Sequence, residues 1–221
     1  MSAPTPPRDS SDDAGTPRRI PDVIETLTPG DVPAAARVLA DALAEDPGYT
    51  YLFPSAARRA RELDALYRMT LSDAVRHGTV FATRHAGDVT GVVAVYPPGA
   101  YPMDARRWWR QSWRLVRLAL HAREHSRALA RFGDLTSEGV PGDAWYVEAV
   151  GVRPDLQRQG RGKALFEAVH GTIDGSGAAA YLETTKPENV GYYRALGYDP
   201  VRDRVPLAAG EGPWIVPMQR A

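Results

Sequence analysis

The residues best suited to chemistry lie in one run, Val152-Arg153-Pro154-Asp155-Leu156-Gln157-Arg158-Gln159-Gly160-Arg161-Gly162-Lys163, which joins the end of an apolar stretch to the start of a helical one. Two glycines and four cationic side chains share this loop. Backbone N–H groups at a helix N-terminus, reinforced by the positive end of the helix dipole, make an anion site. Gly160 and Gly162 lack a Cβ, so a phosphate can come close to the backbone. Two common nucleotide loops fail on spacing. A P-loop needs G-x-x-x-x-G-K-[ST], but Gln157 stands at the first glycine and Ala164 at the hydroxyl, and the dinucleotide fingerprint G-x-G-x-x-G/A breaks at Leu165. What remains is Q-x-x-G-x-G between a strand and a helix.

Three further side chains could move protons. Glu148 lies nine residues before Gln157, and strand alternation puts it on the side of Tyr146 and Val150, barring a bulge at Gly151. A carboxylate there can accept a proton from an ammonium, directly or through water, or else serve as an arginine partner or as an anchor for an amine. Glu183, in the next strand, either lines a binding pocket or is a satisfied strand carboxylate. Tyr193 is either a proton donor or a packing residue, and its neighbour Tyr192 is the more natural packing tyrosine. Tyr49, Tyr51 and Phe53, close together in an early loop, are candidate substrate walls or core anchors.

Two patterns invite other readings. His121-Ala122-Arg123-Glu124-His125 matches H-x-x-E-H, a zinc-peptidase pattern, but the segment is strongly cationic and no downstream carboxylate ligand stands out. A solvated helix with two histidines is expected, with no metal. Residues 106–131 carry eight arginines against one acid. Within them Trp109, Trp113, Val116 and Leu120 form one helical stripe, and Arg110, Arg114 and Arg117 an adjacent one. Such a helix could meet a membrane surface or nucleic acid. The expectation is an aromatic face packed on the core, arginines in solvent, and one wall of the acceptor site.

The composition bounds these possibilities. The 221 residues, 43% hydrophobic and 24% charged, suit one domain with a sizeable core. The 27 basic residues (Lys163 and Lys186, the rest arginines) balance 27 acidic ones, which argues against a bulk nucleic-acid binder. With no cysteine, disulfides, thiolate metal sites and a cysteine nucleophile are excluded. No apolar run is long enough for a membrane span, and the N-terminus lacks the apolar core of a secretory signal. A cytoplasmic protein without nucleic-acid or membrane partners is expected, as monomer or homodimer.

Residues 1–20, rich in Pro, Ser, Thr and Asp, read as a disordered tail, and the domain spans 21–221. Expected strands are Val23–Leu27, Thr79–Arg84 and Val89–Tyr96 (a hairpin), Ala144–Val152, Ala178–Thr184, and a terminal hairpin of Val201–Val205 with Trp214–Met218. Helices are expected over Ala34–Leu43, Ala56–Arg76, Asp104–Phe132, Lys163–Ile173 and Asn189–Leu196, with a loop at Gly48–Pro54. The sum is a mixed α/β domain with helices covering a sheet.

The Q-x-x-G-x-G loop preceded by Val152-Arg153-Pro154, together with Leu182-Glu183-Thr184, Asn189 and Tyr193-Arg194-Ala195-Leu196-Gly197-Tyr198, resembles the GNAT N-acetyltransferase superfamily. The surrounding text is most similar to its puromycin N-acetyltransferase-like enzymes. The resemblance covers residues 143–200 strongly and the upstream chain more weakly. It implies a mostly antiparallel twisted sheet, with helices on both faces and a parallel strand–helix–strand splay. It further implies that the backbone of Gln157, Arg158, Gln159, Gly160, Arg161, Gly162 and Lys163 holds the pyrophosphate of acetyl-CoA. Val150, Gly151 and Val152 would pair with the pantetheine arm, and Asn189 would steady it. Tyr193 would protonate the departing thiolate, and Glu148 is the candidate base. The implied reaction is direct transfer of acetyl to the amine of a small molecule, with Glu183, Tyr49 and Phe53 toward that acceptor. A longer acyl-CoA, a protein amine, or a non-catalytic CoA-binding module are the alternatives.

Overall fold

The central strands owe their position to continuous apolar runs. In the computed structural model, which describes residues 23–121, 126–207 and 213–221, Val89–Tyr96 is buried throughout, as befits a strand covered on both faces. It follows a tight turn in which Ala86 and Gly87 take φ of 51° and 89°, the positive values that a two-residue hairpin of matching twist requires. The strands are β1 (Val23–Thr26), β2 (Thr79–His85), β3 (Asp88–Tyr96), β4 (Trp145–Val152), β5 (Ala180–Thr184), β6 (Asp199–Pro200), β7 (Val205–Pro206) and β8 (Trp214–Arg220). They form one open sheet in the order β1-β2-β3-β4-β5-β8-β6, with β7 paired to β8. Every pairing is antiparallel except β4–β5.

The helices are α1 (Val32–Leu43), α2 (Pro47–Leu52), α3 (Ala56–His77), α4 (Ala105–His121), α5 (Ser126–Gly139), α6 (Arg161–Ile173) and α7 (Glu188–Ala195). On one face of the sheet α1 and α3 bury Leu39, Leu63 and Leu71 with Tyr96 and Tyr146. On the other, α6 buries Leu165, Phe166, Val169 and Ile173 with Val93, Val147 and Tyr193. Among the described residues no helix is long and apolar enough to cross a membrane.

Several expectations need correction. The loop expected at Gly48–Pro54 is mostly helix α2, because Asp46 caps it by accepting a hydrogen bond from Gly48 N at 2.9 Å and Pro47 occupies its first turn. Of the terminal hairpin's expected first strand, Val201–Val205, only Val205 is strand, and it continues to Pro206, paired with Ile215 and Trp214. The helical segment expected to end at Phe132 runs on through α5 to Gly139.

The largest correction concerns α4. Its tryptophan stripe does not pack on the core: Trp109 and Trp113 are 79% and 57% exposed, and Val116 is 59% exposed. The buried face instead carries Arg107 and Gln111. A buried carboxylate on α3 accounts for this inversion. Asp73 accepts from Arg107 Nε at 3.0 Å and also from Nη2, and it takes a third hydrogen bond from the Tyr96 hydroxyl at 3.0 Å. Arg107 further donates to the carbonyl of Ala100, and Gln111 Nε2 donates to Met69 O at 3.3 Å. Burying Asp73 without a cation would be costly, so α4 turns its polar face inward. The expected tail 1–20, residues 122–125 of the H-x-x-E-H pattern, the 208–212 connection and the Leu120 side chain lie outside the described residues.

Candidate active site

The site opens where the two parallel strands part. β4 and β5 pair only from Trp145 with Ala180 to Val147 with Leu182. Beyond that point β5 continues along β8, through Glu183 and Thr184, while β4 continues along β3 to Val152. The β4 backbone from Glu148 to Val152 therefore has no strand partner on its β5 side.

Glu148 sits on a β-bulge. Val147 faces Val95 and Ala149 faces Ala94, so Glu148 is the extra residue. The bulge reverses the alternation after it. Tyr146 and Ala149 join the core beneath α1 and α3, whereas Val147 and Val150 pack toward the core beneath α6. The expectation that Glu148 shares a side with Tyr146 stands, but Val150 points the other way. The interruption falls at Glu148 rather than Gly151, whose missing Cβ instead admits α1: a Cβ there would meet Ala42 Cβ at 2.8 Å.

Two cavities meet at this bulge. A narrow one of about 100 Å3 is lined by Val147–Val150, Leu182–Thr185, Asp46, Asn189 and Tyr193. A wider one of about 560 Å3 lies among α3, α4 and α5 and is lined by Tyr67, Met69, Tyr101, Trp108 and Phe132. Glu148, Tyr49, Tyr67, Phe132, Thr136 and Tyr146 line both. Among the described residues Glu148 Oε2 is buried without a hydrogen-bond partner. Its pKa is pushed up to about 8, by burial first and then by the Asp73 carboxylate, against the lowering effect of Arg107. Glu183 accepts a hydrogen bond from the Tyr181 hydroxyl at 2.9 Å, keeps Oε2 unpartnered, and is pushed up to about 7 by burial.

Tyr193 owes its position to the end of α7. Tyr198 N bonds back to Tyr193 O at 3.0 Å and Gly197 N to Arg194 O at 2.9 Å, with Gly197 at φ 89°. This is a Schellman cap, which explains why a glycine stands four residues after the tyrosine. The Tyr193 ring lies 5.8 Å from Phe166, and burial raises its pKa, so the phenol stays protonated. Tyr193 is also the more buried of the pair, while Tyr192 is 39% exposed. Tyr49 lines both cavities and shares a 2.5 Å hydrogen bond with the Tyr67 hydroxyl. Phe53, expected beside it, is 1% exposed in the core and lines neither cavity.

In the glycine loop, Gln157 Nε2 donates to Val152 O at 3.0 Å and ties the loop to the strand end. Gly160 adopts φ 88° as the N-cap of α6, where a Cβ would meet nothing, so the backbone angle and not space demands glycine. The N–H groups of Gly162 and Lys163 in the first α6 turn precede its first internal bond, Ala164 N to Gly160 O, and face the helix N-terminus where an anion can meet them. Gly162 serves packing as well, since a Cβ there would lie 2.9 Å from the Tyr192 hydroxyl. The expected cationic fringe is thinner than its sequence suggests. Arg161 is buried, its guanidinium on Gln159 Oε1 at 2.6 Å, and Lys163 lies 3.8 Å from Glu167. The segment expected as one wall does line the wider cavity, through Trp108, Leu129 and Phe132 and not through its exposed tryptophan stripe. Sequence reasoning missed Tyr67, on the buried face of α3, and Tyr101, which carried no spacing signal.

The match to known proteins agrees with this geometry. The acetyltransferase (GNAT) family model matches residues 44–198. Similar folds include histone acetyltransferase HPA2 and related acetyltransferase from Corynebacterium glutamicum, 21% identical with TM-score 0.60, covering 90% of this chain and 95% of that one. Ribosomal-protein-S18-alanine N-acetyltransferase from Escherichia coli is 16% identical with TM-score 0.52, covering 90% and 92%. Polyamine N-acetyltransferase from Drosophila melanogaster is 17% identical with TM-score 0.52, covering 90% and 99%. Their acceptors differ, and at such identity the likeness speaks for the fold alone. With the family model covering well over half of its length, the chain belongs to the acetyltransferase (GNAT) family.

Proposed function

We propose that this protein is an acetyl-CoA-dependent N-acetyltransferase that transfers acetyl directly to the amine of a small molecule, a drug or a metabolite. The observation that carries the reading is Glu148: a bulged strand carboxylate at the junction of two cavities, with one oxygen unpartnered. The loop and the split fit the cosubstrate. The N–H groups of Gly162 and Lys163 at the α6 N-terminus and the left-handed Gly160 form a cradle for a pyrophosphate, and the β4 edge without a strand partner offers backbone groups to an amide-bearing arm. Acetyl-CoA supplies the acetyl group as a thioester.

The chain's own residues manage the protons. An amine reaching the junction as ammonium passes a proton to Glu148 in its ionised form, whose share grows as pH approaches its pKa of about 8. The freed nitrogen forms its bond to the carbonyl carbon as the carbon–sulfur bond breaks, and Tyr193 donates its phenolic proton to the leaving thiolate. The nitrogen's second proton returns through solvent to the Tyr193 phenolate, leaving amide, thiol and neutral Tyr193, while Glu148 gives its proton to solvent. No acyl-enzyme is needed, so a chain without cysteine loses nothing. The puromycin N-acetyltransferase-like wording of both motifs supports a small-molecule acceptor.

Thermal shift with acetyl-CoA, followed by CoA-release kinetics of Tyr193→Phe, tests this reading. Acetyl-CoA raises the Tm, and the variant keeps that shift while kcat falls by about 100-fold. No shift at millimolar acetyl-CoA refutes the enzyme, and an unchanged kcat removes Tyr193 from the acid role.

A further inference from the structure

The two cavities that meet at Glu148 differ in the chemistry of their walls. Toward Tyr193 the lining is strand backbone with Asp46, Thr184, Thr185 and Asn189. On the other side the wider cavity runs outward from Glu148 between Leu66, Met69, Met103, Leu129 and Phe132 to Trp108, which is 38% exposed. Its size, about 560 Å3, lies in the range that encloses drug-sized ligands.

Buried charge is confined to the inner end. Two carboxylates line this cavity, Glu148 at the junction and the exposed Asp134, and among the described residues no second buried acid stands at the apolar end. A ligand with cations at both ends would have to desolvate one of them against methionine and leucine side chains, or hold it at the solvent-exposed Asp134, where water screens the attraction. An apolar body gains by burial there instead. The walls also favour rings. Tyr49 meets Tyr67 and Phe132 edge to face at 6.0 and 6.1 Å, and Tyr101 lies 4.5 Å from Tyr146, so a further ring finds both edges and faces to pack on.

Building on the acetyltransferase reading, we propose that the acceptor is a monoamine carrying a bulky, uncharged, ring-bearing body, with its nitrogen at Glu148 and its rings along the α3–α5 cavity toward Trp108. The cavity thereby selects against linear polyamines and guanidine-bearing diamines. Trp108 acts as a specificity residue at the outer end, held there because Arg107 anchors the start of α4 on Asp73.

The test is CoA release from acetyl-CoA with phenethylamine, tryptamine and 4-benzyloxyphenethylamine against putrescine, spermidine and agmatine. Thermal shift by the same amines alone reads the cavity without the reaction. Ring-bearing amines are expected to exceed the polycations in kcat/KM by about 10-fold or more and to raise the Tm. Trp108→Ala raises KM for 4-benzyloxyphenethylamine and holds kcat. Turnover favouring putrescine, spermidine or agmatine overturns the inference and leaves the acetyltransferase reading intact. Ring-bearing amines that raise the Tm with no CoA released from any amine uphold the cavity and refute acetyl transfer. The absence of both shift and turnover with ring-bearing amines overturns the inference.

Discussion

Replacing Glu148 by Gln separates what the carboxyl costs the fold from what it gives the reaction. In the unfolded chain this group has its ordinary pKa of 4.5, and in the folded protein burial and the nearby Asp73 carboxylate push it up to about 8. Below the lower value both states are protonated and Glu148 does not affect stability. Above it the unfolded chain releases a proton that the folded chain retains, so stability falls as pH rises, at 1.36 kcal/mol per pH unit, and levels off beyond the upper value. Near pH 7 the accumulated loss is about 3 kcal/mol. Gln keeps the shape and carries no charge, so Glu148→Gln should gain about 2–3 kcal/mol at that pH, or roughly 5–10 °C in Tm. The gain disappears at acid pH. Activity moves oppositely: wild-type kcat/KM rises with pH as the carboxyl ionises near pH 8, whereas the variant loses that limb and about 100-fold or more in kcat. Urea unfolding across the same pH range and CoA-release kinetics measure both. A variant no more stable than wild type at neutral pH refutes the burial argument, and a retained alkaline limb refutes Glu148 as the base.

Other changes test the frame around it. Gly160→Ala forces a side chain into the left-handed region at φ 88°, which should destabilise by about 1 kcal/mol and weaken acetyl-CoA binding by calorimetry. Gly171→Ala, inside α6 where a Cβ meets nothing, should stabilise by up to about 1 kcal/mol and leave that affinity unchanged. Arg107→Met leaves Asp73 buried without its cation and should cost about 3–5 kcal/mol, part of it recovered when Asp73→Asn is added. The single variant should also move the alkaline limb to higher pH, because Arg107 lowers the Glu148 pKa.

What the sequence determined by itself was local: the Q-x-x-G-x-G loop on a strand–helix joint, the tyrosine four residues before a capping glycine, the hairpin at Ala86-Gly87, the order of most elements, and from these the family. These features depend on backbone angles and short spacings, and neighbours along the chain set them. Glu148 and Glu183 were legible as acids on adjacent strands, but their exceptional state was not, because that needs the splay of β4 from β5 and the bulge that turns Glu148 into the junction. The tryptophan stripe of α4 reads as a core face by period alone. Only the tertiary fold, by placing Asp73 beneath the helix, turned Arg107 and Gln111 inward and left Trp109 and Trp113 in solvent. The acceptor cavity belongs to the same category, since Tyr67, the Tyr101–Trp108 stretch and Phe132 are separated along the chain and converge through packing. Hydrophobic period reports which side of a helix is apolar, whereas the cost of burying a charge, which decides which side is covered, depends on what lies opposite.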